Sequence, residues 1–276
     1  MNKLSTADRV RVLSALVEGN SIRATVRMTG VARNTVSKLL EDMGAACERF
    51  TNEHVHGLAA KNIQVDEIWS FCYAKAKNVP EHLRGQFGYG DVWTWTAIDA
   101  DTKFAVSWHV GQRDGDNAVF FMRDVASRVT GRPQITSDGL NAYRWAISSA
   151  FDGDVDHAVV QKIYGSSEVA TGRYSPPQCI GMTKEAGCGS PDMTKASTSF
   201  VERQNLTMRM GMRRFTRLTN GFSKKVENLA HAVALHFVHY NFCRMHQTLK
   251  STPAQAAGLA DHRWSMEELV GLLDSN

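Results

Sequence analysis

The sequence predicts an α+β fold in which a mixed five-stranded sheet with flanking helices follows a small all-α unit. Two observations support this prediction. Apolar residues recur at helical spacing up to about residue 50, whereas runs of β-branched and aromatic residues begin at residue 63. From there the expected order is β-β-β-α-β-α-β-α. Three consecutive strands followed by alternating helices and strands are typical of an α+β domain with a mixed sheet.

The composition is that of an ordinary globular protein, with 276 residues of which 43% are hydrophobic and 22% charged. It excludes a disordered or low-complexity chain. No apolar run reaches the ~18 residues of a membrane span, and the first residues lack the apolar core of a signal peptide. We therefore expect a cytoplasmic protein without a membrane partner. The five cysteines are scattered without a CxxC pair, which argues against a disulfide framework and a zinc ribbon.

Residues 1–50 are expected to form a compact unit of three helices, followed by a linker at 51–62. The first apolar series stops at Gly19, and Ser21 can cap a short second helix. The third helix is expected to end at Gly44, since glycine commonly follows the last turn of a helix.

The second and third helices are predicted to form a helix-turn-helix, because a tight turn with Gly30 joins them. In this motif the second helix enters the major groove of DNA. The outward residues at its start are basic or polar and suit base edges and phosphates. They are Arg33, Asn34, Thr35 and Lys38. A helical bundle that only dimerises is the alternative for this segment.

Residues 63–245 are expected to form the second domain. Five runs rich in β-branched and aromatic residues predict strands at 63–73, 92–100, 103–110, 134–138 and 157–163. Helices are expected after a cap at Asp116 and at 140–150, 199–218 and 224–243. The segment 164–196 is rich in Gly, Pro and Ser and is predicted to be an irregular insertion. Residues 246–276 are expected to be a C-terminal tail.

Three acidic residues are expected to converge in this domain. Asp66 lies in the middle of the first strand, Asp138 ends the fourth, and Glu202 lies early in the helix after the insertion. An aspartate between apolar neighbours in a strand is costly unless its charge is paired or bound to metal. Asp66 and Asp138 can face each other from adjacent strands, and Glu202 on a covering helix completes an oxygen site for Mg²⁺ or Mn²⁺. Two such ions could activate a nucleophile and stabilise the leaving oxygen in phosphodiester displacement.

Each of these acids also has a structural interpretation. Asp66 could be an ion-pair partner, Asp138 a turn residue or helix cap, and Glu202 part of a capping box. Asp99 is the reserve candidate for the site. Glu67 is expected to point to the opposite face of the strand from Asp66.

The helix at 199–218 is predicted to carry a basic face. At 100° per residue, Asn205, Arg209 and Arg213 share one stripe with Glu202, and we expect these three to contact DNA. Seven basic residues and no acid occur between 203 and 225, which favours a polyanion partner. They are Arg203, Arg209, Arg213, Arg214, Arg217, Lys224 and Lys225. A basic face that only aids solubility is the alternative.

Several segments resemble insertion-sequence DDE transposases, and most closely the insertion-sequence-one type. They are Val65-Asp-Glu-Ile-Trp-Ser70, the Ser-Asp-Gly around Asp138, and the run from Phe200 to Arg217. Within that run, Val-Glu-Arg-x-Asn-Leu is the most specific part. The stretch from Tyr240 to Pro253 is also similar to the closing segment of several such enzymes. The resemblance covers about 60–245, and a helix-turn-helix is a common companion.

The resemblance implies a ribonuclease-H-like fold in which Asp66, Asp138 and Glu202 hold divalent metal, Mg²⁺ or Mn²⁺, with two ions expected. It implies an enzyme that cuts the ends of a mobile element and joins them to target DNA, that is, DNA transposition by recombination and integration. The partners would be the terminal repeats, the target duplex and further copies of the chain, since two ends must be joined. Such a protein would be nucleoid-associated when bound to DNA.

Two other functions remain open from the sequence. The first is a DNA-binding regulator derived from an inactive transposase, which the intact set of three acids disfavours. The second is a ribonuclease-H-like nuclease acting on RNA–DNA hybrids. A helix that reads the major groove disfavours this alternative, because the A-form groove is too narrow to admit it.

Overall fold

The computed structural model describes residues 4–165, 179–216 and 219–274. Six strands form one mixed sheet in the order β3-β2-β1-β4-β5-β6: β1 Asn62–Cys72, β2 Gly90–Asp99, β3 Ala105–Gly111, β4 Gln134–Ser137, β5 Asp156–Tyr164 and β6 Cys179–Cys188. The neighbours β1–β4 and β4–β5 are parallel, and the other three pairs are antiparallel. The predicted α+β class with a mixed sheet is confirmed.

Helices flank this sheet: α1 Thr6–Val17, α2 Ile22–Thr29, α3 Arg33–His54, α4 Gly115–Arg128, α5 Asn141–Ala150, α6 Ser199–Gly211, α7 Val226–Val238, α8 Pro253–Ala256 and α9 Met266–Gly271. Short 3₁₀ turns occur at Ala76–Asn78, Glu81–Leu83 and Arg213–Phe215, and a π-helical turn at His239–Cys243 follows α7. Among the described residues, the helices are too short or too polar to cross a membrane.

The sheet has one strand more than the five expected. β6 lies within the segment predicted to be irregular, and it pairs with β5 from His157 opposite Cys188 to Tyr164 opposite Cys179. Every residue of β6 is at least partly exposed. A strand that is solvated on both faces lacks the alternation of apolar and polar residues from which strands are recognised. The sequence pattern therefore does not predict β6. Residues 166–178 of the same segment lie outside the described chain.

The third helix does not end at Gly44, as expected, but continues to His54. A Cβ at Gly44 would lie 2.3 Å from the Cβ of His231 on α7. The glycine therefore allows close packing of two helices rather than terminating one. The linker expected at 51–62 is consequently shorter, since its first four residues are helical.

The N-terminal helices and the C-terminal residues are integral to the fold. One cluster of buried apolar residues includes Leu13 of α1, Leu40 of α3, Trp95 of β2 and Val270 of α9. Arg9 of α1 also forms an ion pair of 3.1 Å with the carboxylate of Asp274. The segment 246–276 was expected to be a tail, but its described part packs against the first helix through α9 and Asp274.

The remaining differences concern helix ends. Ser21 caps α2 as expected, with its hydroxyl accepting from the amide of Ala24. The cap of α4 is Asp114 rather than Asp116, because its carboxylate accepts from the amide of Asn117. α6 ends at Gly211, seven residues earlier than expected.

The pairing of β1 creates an open edge in the middle of the sheet. β4 pairs with β1 only from Asn62 to Gln64, and β4 ends at Ser137. β1 continues to Cys72, paired there with β2 alone. The side chains that follow Gln64 on β1 and Ser137 on β4 therefore meet at a gap between strands.

Candidate active site

Three carboxylates meet at this open edge. They belong to Asp66 and Glu67 of β1 and to Asp138, which directly follows β4. One oxygen of each carboxylate lies within 4.8 Å of the other two. Consecutive strand residues normally point to opposite faces. Accordingly, Asp66 bonds to Asn205 of α6 and Glu67 to Tyr143 of α5. Because β4 does not cover this part of β1, an oxygen of each carboxylate still reaches the gap.

Asp66 is partly buried and lies close to other negative charges. Burial, followed by the negative charges of Glu67 and Asp138 and a smaller effect of Glu202, raises the pKa of Asp66 to about 7. Its carboxylate accepts a hydrogen bond of 2.8 Å from the side-chain amide of Asn205 on α6. Near neutral pH, part of the charge at this position is therefore removed by a proton, and a cation can take the place of that proton.

Glu67 is held by two donors, although it is 7% exposed. Arg113 donates through Nε to Oε1 at 2.5 Å, and the hydroxyl of Tyr143 donates to Oε2 at 3.0 Å. Arg113 also lies 3.8 Å from Asp138 and over the ring of Trp93. Burial, then the charge of Asp138, nevertheless raises the pKa of Glu67. Arg113 therefore balances only part of the negative charge.

Glu202 lies beside this group on the first turn of α6, and its charge contributes to the raised pKa of Asp66. It accepts a hydrogen bond of 2.6 Å from the hydroxyl of Thr198 and forms an ion pair with Lys162 of β5. The capping box, which was the structural alternative for Glu202, is not formed, because the cap residue Thr198 makes no side-chain bond to the helix backbone. The carboxylate is instead engaged by side chains.

Gln64 fixes α6 relative to β1. Its side-chain oxygen accepts from the backbone amides of Phe200 at 2.8 Å and Val201 at 3.2 Å. Two free amides of a helix N-terminus are thereby satisfied by the sheet. Since Gln64 and Asp66 are two residues apart on one strand, this contact places the first turn of α6 next to Asp66.

No protein-family description matches the sequence, and neither does any curated protein. Among solved structures, a piggyBac transposase synaptic complex with hairpin DNA is similar at 12% identity and a TM-score of 0.41, over 98% of this chain and 70% of that one. The Mos1 strand transfer complex follows at 10% identity and a TM-score of 0.23, over 55% and 57%. A Mos1 paired-end complex with left transposon end has 12% identity and a TM-score of 0.20, over 55% and 58%. The function of this chain has to be argued from its own residues.

The acids fit a hard divalent cation. Carboxylate oxygens are the ligands that Mg²⁺ and Mn²⁺ prefer, and the group of three offers them within a small space. The side-chain oxygen of Asn205 is buried and has no hydrogen-bond partner among the described residues. An uncompensated oxygen next to crowded carboxylates is what a cation or its bound water would satisfy.

The structure thus brings Asp66 and Asp138 together as expected, with Glu202 adjacent. It also adds three residues that the sequence did not indicate: Glu67, Arg113 and Lys162. The adjacent acids in an apolar strand were the available signal for Glu67. The other two reach the site from a loop and from a distant strand, for which the sequence has no signal.

The residues expected to contact DNA lie in different places. Arg33, Asn34, Thr35 and Lys38 are exposed at the start of α3, and Lys38 forms an ion pair with Asp42. Ala32, the residue before α3, provides no side-chain cap for the helix.

The expected stripe along α6 is broken. Asn205 is 7% exposed and bonded to Asp66, so it positions a carboxylate instead of facing DNA. Arg213 is exposed but follows the end of α6 in a 3₁₀ turn, off the helical stripe of Arg209. Arg217 lies outside the described residues. Asp99, the reserve candidate, accepts hydrogen bonds within the β2–β3 turn and is structural.

Proposed function

We propose that this chain is a DDE transposase that cleaves the ends of a mobile element and transfers them to target DNA, with most resemblance to the insertion-sequence-one type. One observation carries the proposal. Asp66 and Asp138, two of the acids implied by the sequence resemblance, lie with Glu67 in a group in which one oxygen of each carboxylate is within 4.8 Å of the other two. Glu202, the third implied acid, lies on the adjoining first turn of α6.

Asp66, Glu67 and Asp138 would hold Mg²⁺ or Mn²⁺, and Glu202 would add a fourth carboxylate. When bound, such a cation supplies Lewis acidity for a phosphoryl oxygen and lowers the pKa of a water molecule. The chain keeps these carboxylates in place through Asn205 on one side and through Arg113 on the other.

The local charge suggests how the expected two ions are acquired. Four carboxylates face two cationic side chains, Arg113 and Lys162, which leaves about two negative charges. One divalent cation balances that charge. Phosphates of bound DNA would bring the negative charge for the second ion, so two ions are proposed for the DNA complex.

The DNA partner is proposed from the helical unit. The turn at Gly30 and the exposed polar and basic residues at the start of α3 support this part of the proposal, because a major-groove reader contacts base edges from the start of its second helix. A dimer or larger assembly on DNA is part of the proposal, because two element ends have to be held together.

The test is a titration of Mn²⁺ and Mg²⁺ into the wild type and into Asp66→Asn, Asp138→Asn and Glu202→Gln. Thermal stability and nonspecific nicking of a plasmid are followed together. A cation that binds the native state raises the melting temperature by mass action. We expect stabilisation and nicking in the wild type, with nicking lost in all three variants. Glu53→Gln removes an exposed acid of α3 and is the matched control.

The outcomes separate the proposed functions. Stabilisation by metal without cleavage of any substrate would favour the DNA-binding regulator. Preferential cleavage of an RNA–DNA hybrid over duplex DNA would favour the nuclease. If neither metal raises the melting temperature of the wild type or produces nicking, the proposed metal site is wrong.

A further inference from the structure

A basic cleft lies between the N-terminal helices and the end of α6. It encloses about 880 Å³, a size typical of ligand sites. Arg23 of α2 and Arg33 of α3 line one side. Arg213, Arg214 and Lys224, which belong to the connection from α6 to α7, line the other side. No Asp or Glu is among the described residues that line it, so the cleft concentrates positive charge.

Most of these charges are available to a ligand. The side chains of Arg23, Arg33, Arg213 and Lys224 are exposed, and within the described ranges none forms an ion pair. Arg214 is the exception, because its guanidinium donates to the hydroxyl of Ser223. Like charges held this close repel one another, and a polyanion would relieve the repulsion.

The inner part of the cleft is apolar. Leu16, Leu40, Met212 and Leu235 line it together with the half-buried ring of Phe222. A ligand that presents phosphates on one side and flat apolar rings on the other would match both parts. Unpaired nucleotides have this character, because their bases are free to contact apolar and aromatic side chains.

The volume favours one strand over two. A cube of 880 Å³ measures ~10 Å on each edge, which is less than the ~12 Å width of the major groove of a duplex alone. The cleft therefore matches a few nucleotides of a single strand better than a duplex. The cleft also adjoins the start of α3, where the duplex is proposed to bind.

We propose that this cleft binds a short single-stranded segment of DNA, with its phosphates on Arg23, Arg213 and Lys224 and its bases on the apolar inner part. The inference rests on the proposed function, because a strand freed from an element end would lie beside the duplex that α3 engages.

The test measures binding of a fluorescein-labelled twelve-residue thymidine oligonucleotide by anisotropy, in EDTA so that the acidic site plays no part. Two matched pairs are compared. Arg23→Gln is set against Arg27→Gln, one turn along α2, and Lys224→Gln against its neighbour Lys225→Gln. Arg27 and Lys225 are exposed but do not line the cleft.

For single strands, each lost phosphate contact lowers the slope of log affinity against log salt by ~0.7. We expect that reduction for Arg23→Gln and Lys224→Gln and an unchanged slope for both controls. Equal losses in cleft and control variants would overturn the proposal, as would a wild type that does not bind the oligonucleotide. Displacement by thymidine monophosphate at equal nucleotide concentration would also overturn it, in favour of a free nucleotide.

This result is independent of the metal site. Asp66→Asn is expected to bind the oligonucleotide as the wild type does, because Asp66 does not line the cleft. If metal-dependent nicking is observed without oligonucleotide binding, only the cleft assignment fails. If the oligonucleotide binds in the cleft but the wild type never nicks DNA, only the transposase proposal fails.

Discussion

Asn205 on α6 donates a hydrogen bond of 2.8 Å through Nδ2 to Oδ2 of Asp66 on β1. This contact joins the helix that carries Glu202 to the strand that carries Asp66. Because Asn205 is buried, its amide fixes the orientation of the carboxylate without competing for solvent or DNA. It therefore acts as a positioning residue.

Replacing Asn205 by alanine removes this constraint. Outer partners of metal ligands typically contribute ~10–100-fold to metal affinity. We expect Asn205→Ala to weaken Mn²⁺ binding by about that factor, measured by isothermal titration calorimetry without DNA. Thr207→Ala on the same helix is the control, since within the described ranges the hydroxyl of Thr207 donates to the backbone oxygen of Arg203 and to no carboxylate. An affinity equal to that of the wild type would show that Asn205 does not position Asp66.

Lys162 is expected to oppose metal binding. Its ammonium group pairs with Glu202, which neutralises one carboxylate and adds a positive charge next to the site. Both side chains are partly exposed, so the electrostatic effect is moderate. We expect Lys162→Gln to tighten Mn²⁺ binding ~3–10-fold in calorimetry without DNA.

Lys184→Gln provides the comparison for Lys162→Gln. Lys184 lies on the adjacent strand β6 and donates to the backbone oxygen of Met193 instead of a carboxylate. Its substitution should leave the affinity unchanged. Weaker binding in Lys162→Gln than in the wild type would contradict the competition and would mean that the lysine supports the site.

Histidine burial makes the folded state sensitive to acid. Burial, followed by the positive charges of His239 and Arg244, lowers the pKa of His236 on α7 to about 3. The unfolded chain takes up a proton at this residue near pH 6.5, but the folded chain does not. The free energy of unfolding therefore falls as the pH drops below ~6.5, and continues to fall until about pH 3.

Substitution of His236 by glutamine removes this contribution. Between pH 7.5 and pH 5 the wild type should lose ~2 kcal/mol more stability than His236→Gln, as an order of magnitude. Urea denaturation at the two pH values measures the difference, in which the contributions of all other groups cancel. The exposed His82 supplies a control, since His82→Gln should show the wild-type loss. Identical pH dependence in wild type and His236→Gln would contradict the burial argument.

The sequence was sufficient for the elements with strong periodicity. Strands such as β1 and β2 combine β-branched and aromatic residues with buried positions, and all five expected strands are found. β6 could not be recognised, because it is held by backbone pairing to β5 and not by an apolar face. Similarly, the sequence does not distinguish a glycine that ends a helix from one, such as Gly44, that allows a neighbouring helix to pack closely.

The sequence predicts those residues of the candidate site whose side-chain type is unusual for their position in a strand. Asp66 and Asp138 are acids in or directly after buried strands, and the cost of burying an acid indicates that they belong to one candidate site. Glu67 lies on the opposite face of β1 from Asp66, as the alternation rule predicts, and bonds to Tyr143 of α5, whereas Asp66 bonds to Asn205 of α6. Arg113 and Lys162 contact the acids through the tertiary fold, which local patterns do not encode.

The contact of Gly44 with α7 gives a last prediction. A methyl group at this position would lie 2.3 Å from Cβ and 2.5 Å from Cα of His231, so backbone and not only side chain would have to move. Such overpacking costs ~1–3 kcal/mol or more, against a gain of ~1 kcal/mol in helix propensity.

We therefore expect Gly44→Ala to lower the free energy of unfolding, by ~2 kcal/mol at the upper end of that range. Gly115→Ala is the control, because a Cβ at the start of α4 would meet no atom within 4 Å. Urea denaturation of both variants measures the difference. A Gly44→Ala protein at least as stable as the wild type would mean that α3 and α7 are not in close contact. The N-terminal unit would then be less firmly joined to the sheet domain than the shared core indicates.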